Sequence, residues 1–396
     1  MTSPKDESPI AISSELPSLN KPQQKILVIF GTRPEAIKLC PLVSALRSHP
    51  ATAGMQTLVC VTAQHRQMLD QVLNAFAITP DFDLNMMTAG QTLTGLSARL
   101  LSGLEEVFQQ VKPALAVVQG DTTTTLSGTL AAFYARVPVA HVEAGLRTFD
   151  LQAPFPEEMN RVLTGKLATL HFAATQWAAD NLVREGVASD SIQVTGNTGI
   201  DAVVTMRDAI ERGRHTGLSI PLDPSKKLIV VTAHRRESFG DGFVRICEAL
   251  AELDRRPDVQ IVWPVHPNPN VQRVVASVLR HKTSVTLTEP QDYLPFIDLM
   301  RRAYLLITDS GGVQEEGPSL GKPILVLRDK TERPEAVEAG TVKLVGTDRN
   351  RIVMEANRLL DDTAEYERMA RLHNPYGDGQ ACGRIAERIR RFLAQG

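Results

Sequence analysis

The sequence has neither a Gly-x-Gly-x-x-Gly dinucleotide fingerprint nor a Gly-x-x-x-x-Gly-Lys-Ser/Thr phosphate loop. Redox chemistry with a nicotinamide cofactor and hydrolysis of nucleoside triphosphates are therefore poor hypotheses. The 396 residues also lack an excess of charge, since the formal net charge is −2. Without a strongly basic surface, binding to nucleic acid or to a membrane is not expected. An anionic ligand would have to be held by local arginines and by helix ends.

Cysteine is scarce, with only four residues, at positions 40, 60, 247 and 382. They are far apart, form no Cys-x-x-Cys pair and have no His or Asp neighbours at metal-binding spacing. We expect buried free thiols, no disulfide and no metal. Residues 1–24 are rich in Ser, Pro, Lys and Glu and lack the apolar segment of a signal peptide, which predicts a disordered tail. No apolar stretch has transmembrane length, so a cytoplasmic protein is expected.

Short apolar runs alternate with helix-period segments from Lys25 almost to the end of the chain. This alternation predicts an α/β protein with parallel sheets, and the length favours two domains. We predict a first Rossmann-like domain over 25–198, a second over 199–372, and a final helix within 373–396 that packs back on the first domain. The predicted strands are Lys25–Phe30, Thr57–Val61, Ala114–Val118, Val137–His141 and Leu170–Ala173, then Lys227–Thr232, Val259–Trp263, Ser284–Leu287, Tyr304–Thr308, Pro323–Leu327 and Val342–Val345. The segment Ile210–Ser225 is predicted to be a polar loop.

The turn Ser310-Gly311-Gly312 follows an apolar strand and leads directly into a helix pattern. Glycines allow close approach of a ligand to the backbone, and the first N–H groups of a helix have no intrahelical partner. Glu316 lies one turn further on, where a carboxylate can accept hydrogen bonds from sugar hydroxyls. A diphosphate and a sugar recognised together indicate a nucleotide sugar.

Ligands of open parallel sheets bind beyond the carboxyl ends of the strands. After the first strand come Arg33 and Lys38, which could hold a diphosphate. Asp121 follows a later strand, where a plain helix N-cap is an equally good interpretation. Glu143 follows another apolar strand, and a carboxylate in such a place costs free energy unless it is paired or used. Glu157 opens a helix, where glutamate is an ordinary partner of the helix dipole.

Asp121, Glu143 and Glu157 would together place three carboxylates at one rim, where they can divide into acid and base roles. In the second half, His234 ends an apolar strand and could assist a leaving phosphate or transfer a proton. His266, in a proline-rich segment, reads equally well as part of a rigid loop.

Three further residues of the second half are candidates for ligand binding. Gln291 and Phe296 could hold a base by amide hydrogen bonding and stacking, with helix core as the alternative for Phe296. Arg333 is an additional cation near an expected strand end, where it could reach a phosphate.

Seven motifs in the same order resemble those of the bacterial non-hydrolysing UDP-N-acetylglucosamine 2-epimerases, and the resemblance extends from Lys25 to the C-terminus. The motifs are Gly-Thr-Arg-Pro-Glu-Ala-Ile-Lys at 31–38, Gly-Asp-Thr-Thr-Thr-Thr at 120–125, His-Val-Glu-Ala-Gly-Leu-Arg-Thr at 141–148, Pro-Glu-Glu-Met-Asn-Arg at 156–161, His-Arg-Arg-Glu-Ser at 234–238, Ser-Gly-Gly-Val-Gln-Glu-Glu at 310–316 and Thr-Glu-Arg-Pro-Glu at 331–335.

The resemblance implies a fold like that of GT-B glycosyltransferases with the active site in the interdomain cleft, a homodimer, and no cofactor or metal. It implies interconversion of UDP-GlcNAc and UDP-ManNAc by elimination of UDP to 2-acetamidoglucal and re-addition, which would supply precursors of surface polysaccharides. It assigns proton transfer and sugar binding to Asp121, Glu143 and Glu157, and assistance of the leaving phosphate to His234. It assigns UDP and sugar binding to Arg33, Lys38, Ser310, Gly311, Gly312, Glu316 and Arg333, and uracil binding to Gln291 and Phe296.

Many relatives bind UDP-GlcNAc at a second, activating site, and the matching residues are Gln64, His65 and Gln67, although Gly90 stands where some relatives have arginine. Four alternatives stay open. They are a hydrolysing epimerase that releases ManNAc and UDP, an epimerase of a modified UDP-GlcNAc such as a 2,3-diacetamido uronic acid, a GT-B glycosyltransferase, and an inactive nucleotide-sugar sensor.

Overall fold

The chain forms two parallel β-sheets, each covered by helices, in the computed structural model, which describes residues 23–62, 66–86, 88, 90–331 and 333–395. The predicted α/β fold class with two parallel-sheet units is therefore confirmed. The first 22 residues of the predicted tail lie outside the described residues. None of the described helices is both long and apolar enough to cross a membrane.

The first sheet has seven parallel strands in the order β3-β2-β1-β4-β5-β6-β7. The reversal of strand order between β1 and β4 creates the crevice in which doubly wound sheets bind ligands. Its strands are β1 (Lys25–Phe30), β2 (Gln56–Val61), β3 (Phe82–Asp83), β4 (Leu115–Gln119), β5 (Val139–Ala144), β6 (Leu170–Ala173) and β7 (Ile192–Val194). The strands β3 and β7 are missing from the predicted set, because runs of two and three residues carry no periodic signal.

The second sheet has six parallel strands in the order β10-β9-β8-β11-β12-β13, so its reversal lies between β8 and β11. Its central strands are buried on both faces and are accordingly built from Leu, Ile and Val. The strands are β8 (Lys227–Thr232), β9 (Val259–Pro264), β10 (Val285–Thr288), β11 (Leu305–Thr308), β12 (Ile324–Val326) and β13 (Val342–Leu344).

Fifteen α-helices in the described residues cover and connect the sheets. They are α1 (Arg33–Ser48), α2 (Arg66–Ala75), α3 (Leu93–Val111), α4 (Thr123–Tyr134), α5 (Glu157–Leu167), α6 (Gln176–Arg184), α7 (Thr198–Glu211), α8 (Asp241–Leu253), α9 (Pro269–Leu279), α10 (Tyr293–Arg302), α11 (Gly311–Glu316), α12 (Pro334–Glu338), α13 (Arg349–Asp361), α14 (Thr363–Ala370) and α15 (Ala381–Leu393). The predicted polar loop from Ile210 is wrong for its first two residues, which are the last of α7.

The helix α15 lies against α1 and α7 and buries Ile385 and Ile389 completely. Its N-terminus is fixed by Asp201 in the first turn of α7, whose carboxylate accepts hydrogen bonds from the backbone N–H groups of Ala381 and Cys382 at 3.2 and 2.9 Å. The last helix of the chain is thereby attached to the layer that covers the first sheet. The domain boundary near Thr198 stays a prediction.

Candidate active site

A cavity of about 510 Å³ lies where the carboxyl ends of the first sheet face the second sheet. The walls combine carboxylates, cations and backbone turns, the lining expected of a site for a polar, charged ligand. From the first sheet come Thr32, Pro34, Glu35, Lys38, Gln119, Gly120, Asp121, Thr122, Glu143, Leu146, Arg147, Thr148, Pro154, Arg161, Ala174, Thr175 and Trp177; from beyond it come Asn197, Glu315, Thr331, Arg333, Pro334, Glu335 and Tyr376.

Glu143 is held in an unusual backbone conformation at the end of β5. Its φ of +59° is in the left-handed region, which residues other than Gly, Asn and Asp seldom adopt. The pairing of β5 with β6 shifts register at this residue. A bulge of this kind turns a side chain out of the alternation of the strand. The strained backbone conformation therefore directs the Glu143 carboxylate into the cavity.

The Glu143 carboxylate forms a buried ion pair with Lys38, whose Nζ lies 2.6 and 2.5 Å from the two carboxylate oxygens. Gln119 also donates a hydrogen bond to this carboxylate through its Nε2. Burial raises the pKa of Glu143, and the charge on Lys38 partly offsets this effect. Burial alone would lower the pKa of Lys38, but Glu143 and the nearby Glu315 keep it above its usual range. Lys38 thus remains charged next to a carboxylate that accepts a proton readily.

Asp121 lies in the turn after β4. The alternative that it is a plain N-cap is wrong, because Thr122 caps α4 by accepting a hydrogen bond from the Thr125 N–H at 3.1 Å. The Asp121 carboxylate instead pairs with Arg161 at 2.5 Å, and its backbone carbonyl accepts a hydrogen bond from the Asn160 side chain at 2.8 Å. Two contacts from α5 therefore position Asp121 in the cavity wall.

His141, in β5, stabilises the turn that contains Gly120 and Asp121. Its Nε2 donates a hydrogen bond to the Gly120 carbonyl at 2.7 Å. Burial lowers the pKa of His141 to about 3, so the imidazole stays neutral. This contact holds Gly120 in its left-handed conformation, with φ of +72°.

Glu157, the third predicted carboxylate, is the first residue of α5 and is half-buried, but it is not among the residues lining the cavity. Its neighbour Glu158 is fully buried and accepts hydrogen bonds from the N–H groups of Thr148 and Phe149 at 3.0 and 2.9 Å. Glu158 therefore fixes the loop in front of α5. A catalytic role for Glu157 stays a prediction.

Arg333 faces these carboxylates from the second sheet. Its Nε lies 2.6 Å from the carboxylate of Glu315, whose other oxygen accepts a hydrogen bond from Asn197 at 3.0 Å. The guanidinium covers Gly311 so closely that a Cβ atom at that position would lie 2.6 Å from the Arg333 Cζ. Only glycine leaves room for Arg333 against the Ser-Gly-Gly turn.

A second cavity, of about 280 Å³, adjoins the loops after β8, β9, β10 and β11. It contains five of the residues predicted to bind the nucleotide or the leaving phosphate. They are Arg33, His234, Gln291, Phe296 and Ser310. The structure thus brings Arg33, from the first half of the chain, next to the predicted ligand residues of the second half.

The His234 imidazole stacks on His266, with ring centroids 5.1 Å apart and planes 10° apart. Burial lowers the pKa of His234, and His266 and Arg235 lower it further, while Asp309 opposes the change. Asp309 also fixes the loop, since its carboxylate accepts hydrogen bonds from the N–H groups of His234 and Arg235 at 2.6 and 2.7 Å. The pKa of His234 is therefore below that of an ordinary imidazole. His266 supports its ring as well as belonging to the loop.

Glu316, the last residue of α11, carries a carboxyl group with a strongly raised pKa. Burial raises its pKa to about 8, and the charge on Glu315 adds to the shift. The group is therefore largely protonated at neutral pH and can both donate and accept hydrogen bonds.

Replacing Glu316 by Gln is expected to reduce the loss of stability that the protein shows on going from pH 5 to pH 8. When the pKa of a carboxyl group is higher in the folded than in the unfolded protein, the group's contribution to stability is full at pH values below the unfolded-state pKa. For Glu316 this contribution is lost as the pH rises through the folded-state pKa of about 8. The effect is at most about 1.4 kcal/mol per pH unit over this interval. Melting temperatures at both pH values measure it. The exposed Glu338, changed to Gln, is the control, and equal pH dependence in all three proteins would contradict the assignment.

Sequence reasoning missed several charged residues that build the site. Glu35 is fully buried in α1 and accepts hydrogen bonds from the Gly31 and Thr32 N–H groups at 3.0 and 2.8 Å, and from the Thr122 hydroxyl at 2.7 Å. The pattern Thr-x-x-Glu at 32–35 is a capping box and could have revealed this role. No comparable signal identified Glu315 or Arg161. Of the predicted second site, Gln64, His65 and the Gln67 side chain lie outside the described residues.

Two doubly wound sheets face each other across a polar cleft. Carboxylates lie on one side of the cleft and a guanidinium over a glycine turn on the other. This arrangement defines a two-domain α/β enzyme of the GT-B-like type. A family model described as UDP-N-acetylglucosamine 2-epimerase matches residues 47–390. The chain is 57% identical over 372 residues to UDP-N-acetylglucosamine 2-epimerase of Escherichia coli K12, covering 92% of this chain and 98% of that protein. The chain belongs to the UDP-N-acetylglucosamine 2-epimerase family and is an isomerase, as the resemblance of the motifs predicted.

Solved structures agree with this assignment. The UDP-GlcNAc 2-epimerase of Neisseria meningitidis, bound to UDP-GlcNAc, superposes with a TM-score of 0.84 at 46% identity, covering 93% of this chain and all of that one. The enzyme of Methanocaldococcus jannaschii, in complex with UDP-GlcNAc and UDP, gives a TM-score of 0.76 at 33% identity, covering 94% of this chain and all of that one.

Proposed function

We propose that this protein interconverts UDP-GlcNAc and UDP-ManNAc without hydrolysis, by eliminating UDP and adding it back. The observation that carries the proposal is the composition of the larger cavity. Asp121 and Glu143 share it with Lys38 and Arg333, so groups able to move a proton lie beside groups able to hold a diphosphate. The ligands in the Neisseria and Methanocaldococcus structures support the same substrate.

The C2 proton of the substrate is only weakly acidic, because no carbonyl group is adjacent to C2. In the elimination, the C1–O bond breaks with its electron pair going to UDP, positive charge develops at C1, and a carboxylate removes the C2 proton. The product is 2-acetamidoglucal, with a C1–C2 double bond. In the reverse step a UDP oxygen bonds to C1 and a proton is returned to C2 from the opposite face, which gives the epimer.

The residues of the larger cavity match the demands of these steps. Negative charge on Asp121 and Glu143 stabilises the developing cation at C1, and either carboxylate can accept the C2 proton. Lys38 is already charged, pairs with Glu143 and lines the same cavity, where it can neutralise the diphosphate. Arg333, held over the Ser310-Gly311-Gly312 turn, supplies a second cation for the same phosphates.

The smaller cavity accommodates the nucleotide in this proposal. Gln291 and Phe296 line this cavity and would hold the uracil. Glu316 would accept hydrogen bonds from the ribose hydroxyls. The pKa of His234 is lowered in the free protein, but the charge of a bound diphosphate raises the pKa of a nearby imidazole. Substrate binding would therefore protonate His234 and prepare it to donate a proton to the departing phosphate.

We further propose that the enzyme acts as a homodimer in the cytoplasm and supplies ManNAc-type precursors for surface polysaccharides. The four cysteines are all buried and free, as expected for a reducing compartment. The match extends over 98% of the length of the E. coli relative.

Proton NMR of the purified protein with UDP-GlcNAc in D₂O tests the proposal. The expected result is UDP-ManNAc with deuterium at C2 and UDP still attached, because the C2 proton exchanges with solvent in the intermediate. Free ManNAc with an equal amount of UDP would show a hydrolysing enzyme. No deuterium at C2 of any product would overturn the elimination route.

A further inference from the structure

The carboxylate of Glu335 links the two halves of the molecule at the edge of the larger cavity. Glu335, in the first turn of α12, accepts a hydrogen bond from the Thr175 hydroxyl at 3.1 Å and another from the Tyr376 hydroxyl at 3.3 Å. Thr175 precedes α6 in the first sheet, and Tyr376 lies between α14 and α15. The three residues, which we call the Glu335 bridge, all line the cavity.

Both donors of the Glu335 bridge are buried, and Glu335 itself is half-buried. Thr175 is 9% exposed and Tyr376 is 4% exposed. Burial and the charges on Glu335 and Glu315 raise the pKa of Tyr376, so its hydroxyl remains a hydrogen-bond donor over the working pH range. Hydrogen bonds from neutral donors to a charged acceptor in such surroundings are stronger than exposed ones.

The bridge also bears on the phosphate side of the site. Arg333 is the N-cap residue of α12, two positions before Glu335. A contact that fixes the first turn of α12 therefore fixes the backbone from which Arg333 reaches Gly311. Breaking the bridge would loosen the cavity wall and displace a predicted phosphate ligand at the same time.

We propose that Glu335 is a positioning residue that keeps the cavity closed on 2-acetamidoglucal and UDP between elimination and re-addition. The inference rests on the elimination route proposed above. The glucal is neutral and has no covalent attachment to the protein, so only the closed walls retain it. The competition between re-addition and opening then decides whether the product is UDP-ManNAc or free glucal and UDP.

The test is the ratio of released 2-acetamidoglucal to UDP-ManNAc formed, measured by proton NMR with UDP-GlcNAc as the substrate. Glu335→Leu removes both acceptors at similar volume, and the ratio is expected to rise about tenfold or more because two hydrogen bonds to a charged group are lost. Glu335→Gln keeps an acceptor for Tyr376 and a partner for Thr175, so its ratio should stay within about threefold of the wild-type value. Glu338→Leu, at an exposed position of the same helix, is the matched control and should leave the ratio unchanged.

A loss of overall stability lowers the amount of active enzyme but does not change how each turnover divides between products. Tyr376→Phe removes one hydrogen bond of the bridge. As a single variant it should raise the ratio of released glucal to UDP-ManNAc. Combined with Glu335→Leu it should raise that ratio no further than Glu335→Leu does. Where Glu335→Leu does not fold, Tyr376→Phe decides, and a wild-type ratio in that variant overturns the role of the bridge. If the wild-type protein exchanges the C2 proton and no variant changes the ratio, the proposed function stands and the role of Glu335 is refuted.

Discussion

Replacing Asp121 by Asn is expected to lower turnover by about 10²–10⁴ and to leave UDP binding intact. The amide has the shape of the carboxylate but cannot accept a proton from C2 or stabilise positive charge at C1. Asp121 lines the larger cavity and not the smaller one, so the nucleotide contacts should persist. Epimerisation kinetics and titration calorimetry with UDP measure the two effects separately.

The matched control for Asp121→Asn is Asp208→Asn on α7, where a partly exposed carboxylate pairs with Arg207 outside both cavities. It should change neither turnover nor UDP affinity by more than about twofold. Arg161, the partner of Asp121, keeps its contact with Glu158 at 3.2 Å in the variant, which limits any structural change. Turnover of Asp121→Asn close to the wild-type value would remove Asp121 from proton transfer.

Replacing Lys38 by Met is expected to abolish measurable epimerisation and to destabilise the protein by about 3–5 kcal/mol, the usual effect of removing one partner from a buried ion pair. The cause is Glu143, whose side chain is 7% exposed and would be left buried without its cation. The loss should be larger at pH 8 than at pH 5. Burial already raises the pKa of Glu143, and without Lys38 the pKa rises further, so the stabilising protonated form is lost as pH rises.

The double variant Lys38→Met with Glu143→Gln separates stability from chemistry. It removes both charges, so denaturation midpoints should return most of the way to the wild-type value. Activity should not return, because the proposed phosphate cation and the proposed proton acceptor are both absent. A single Lys38→Met variant as stable as the wild type at pH 8 would show that the pair is not energetically important.

Most of the fold and part of the site could be predicted from the sequence. Apolar runs identified the strands that carry Arg33, Asp121, Glu143 and His234, since residues after parallel strands converge at one edge. The same reasoning could not foresee that Glu143 has a left-handed backbone. That conformation depends on the pairing of β5 with β6, which is not a local property.

The residues that sequence reasoning missed are those whose partners are distant in the chain. Glu315 contacts Asn197 across 118 positions, and Glu335 contacts Thr175 across 160 positions. Glu315 lies in the last turn of the short helix α11 and Glu335 in the first turn of α12, so each is an ordinary helical glutamate when viewed locally. Their function depends on how the two sheets face each other, and this arrangement leaves no local pattern.

The attachment of α15 to α1 and α7 has a consequence for biosynthesis. The helix that completes the layer over the first sheet is encoded after the whole of the second sheet. During translation the part of α1 that α15 buries therefore stays uncovered until the ribosome has made that helix. Domains usually fold in the order of their synthesis. Here the helical layer over the first sheet, which is made first, is completed by α15, which is made after the second sheet. The nascent chain would present that part of α1 to chaperones throughout the synthesis of the second sheet.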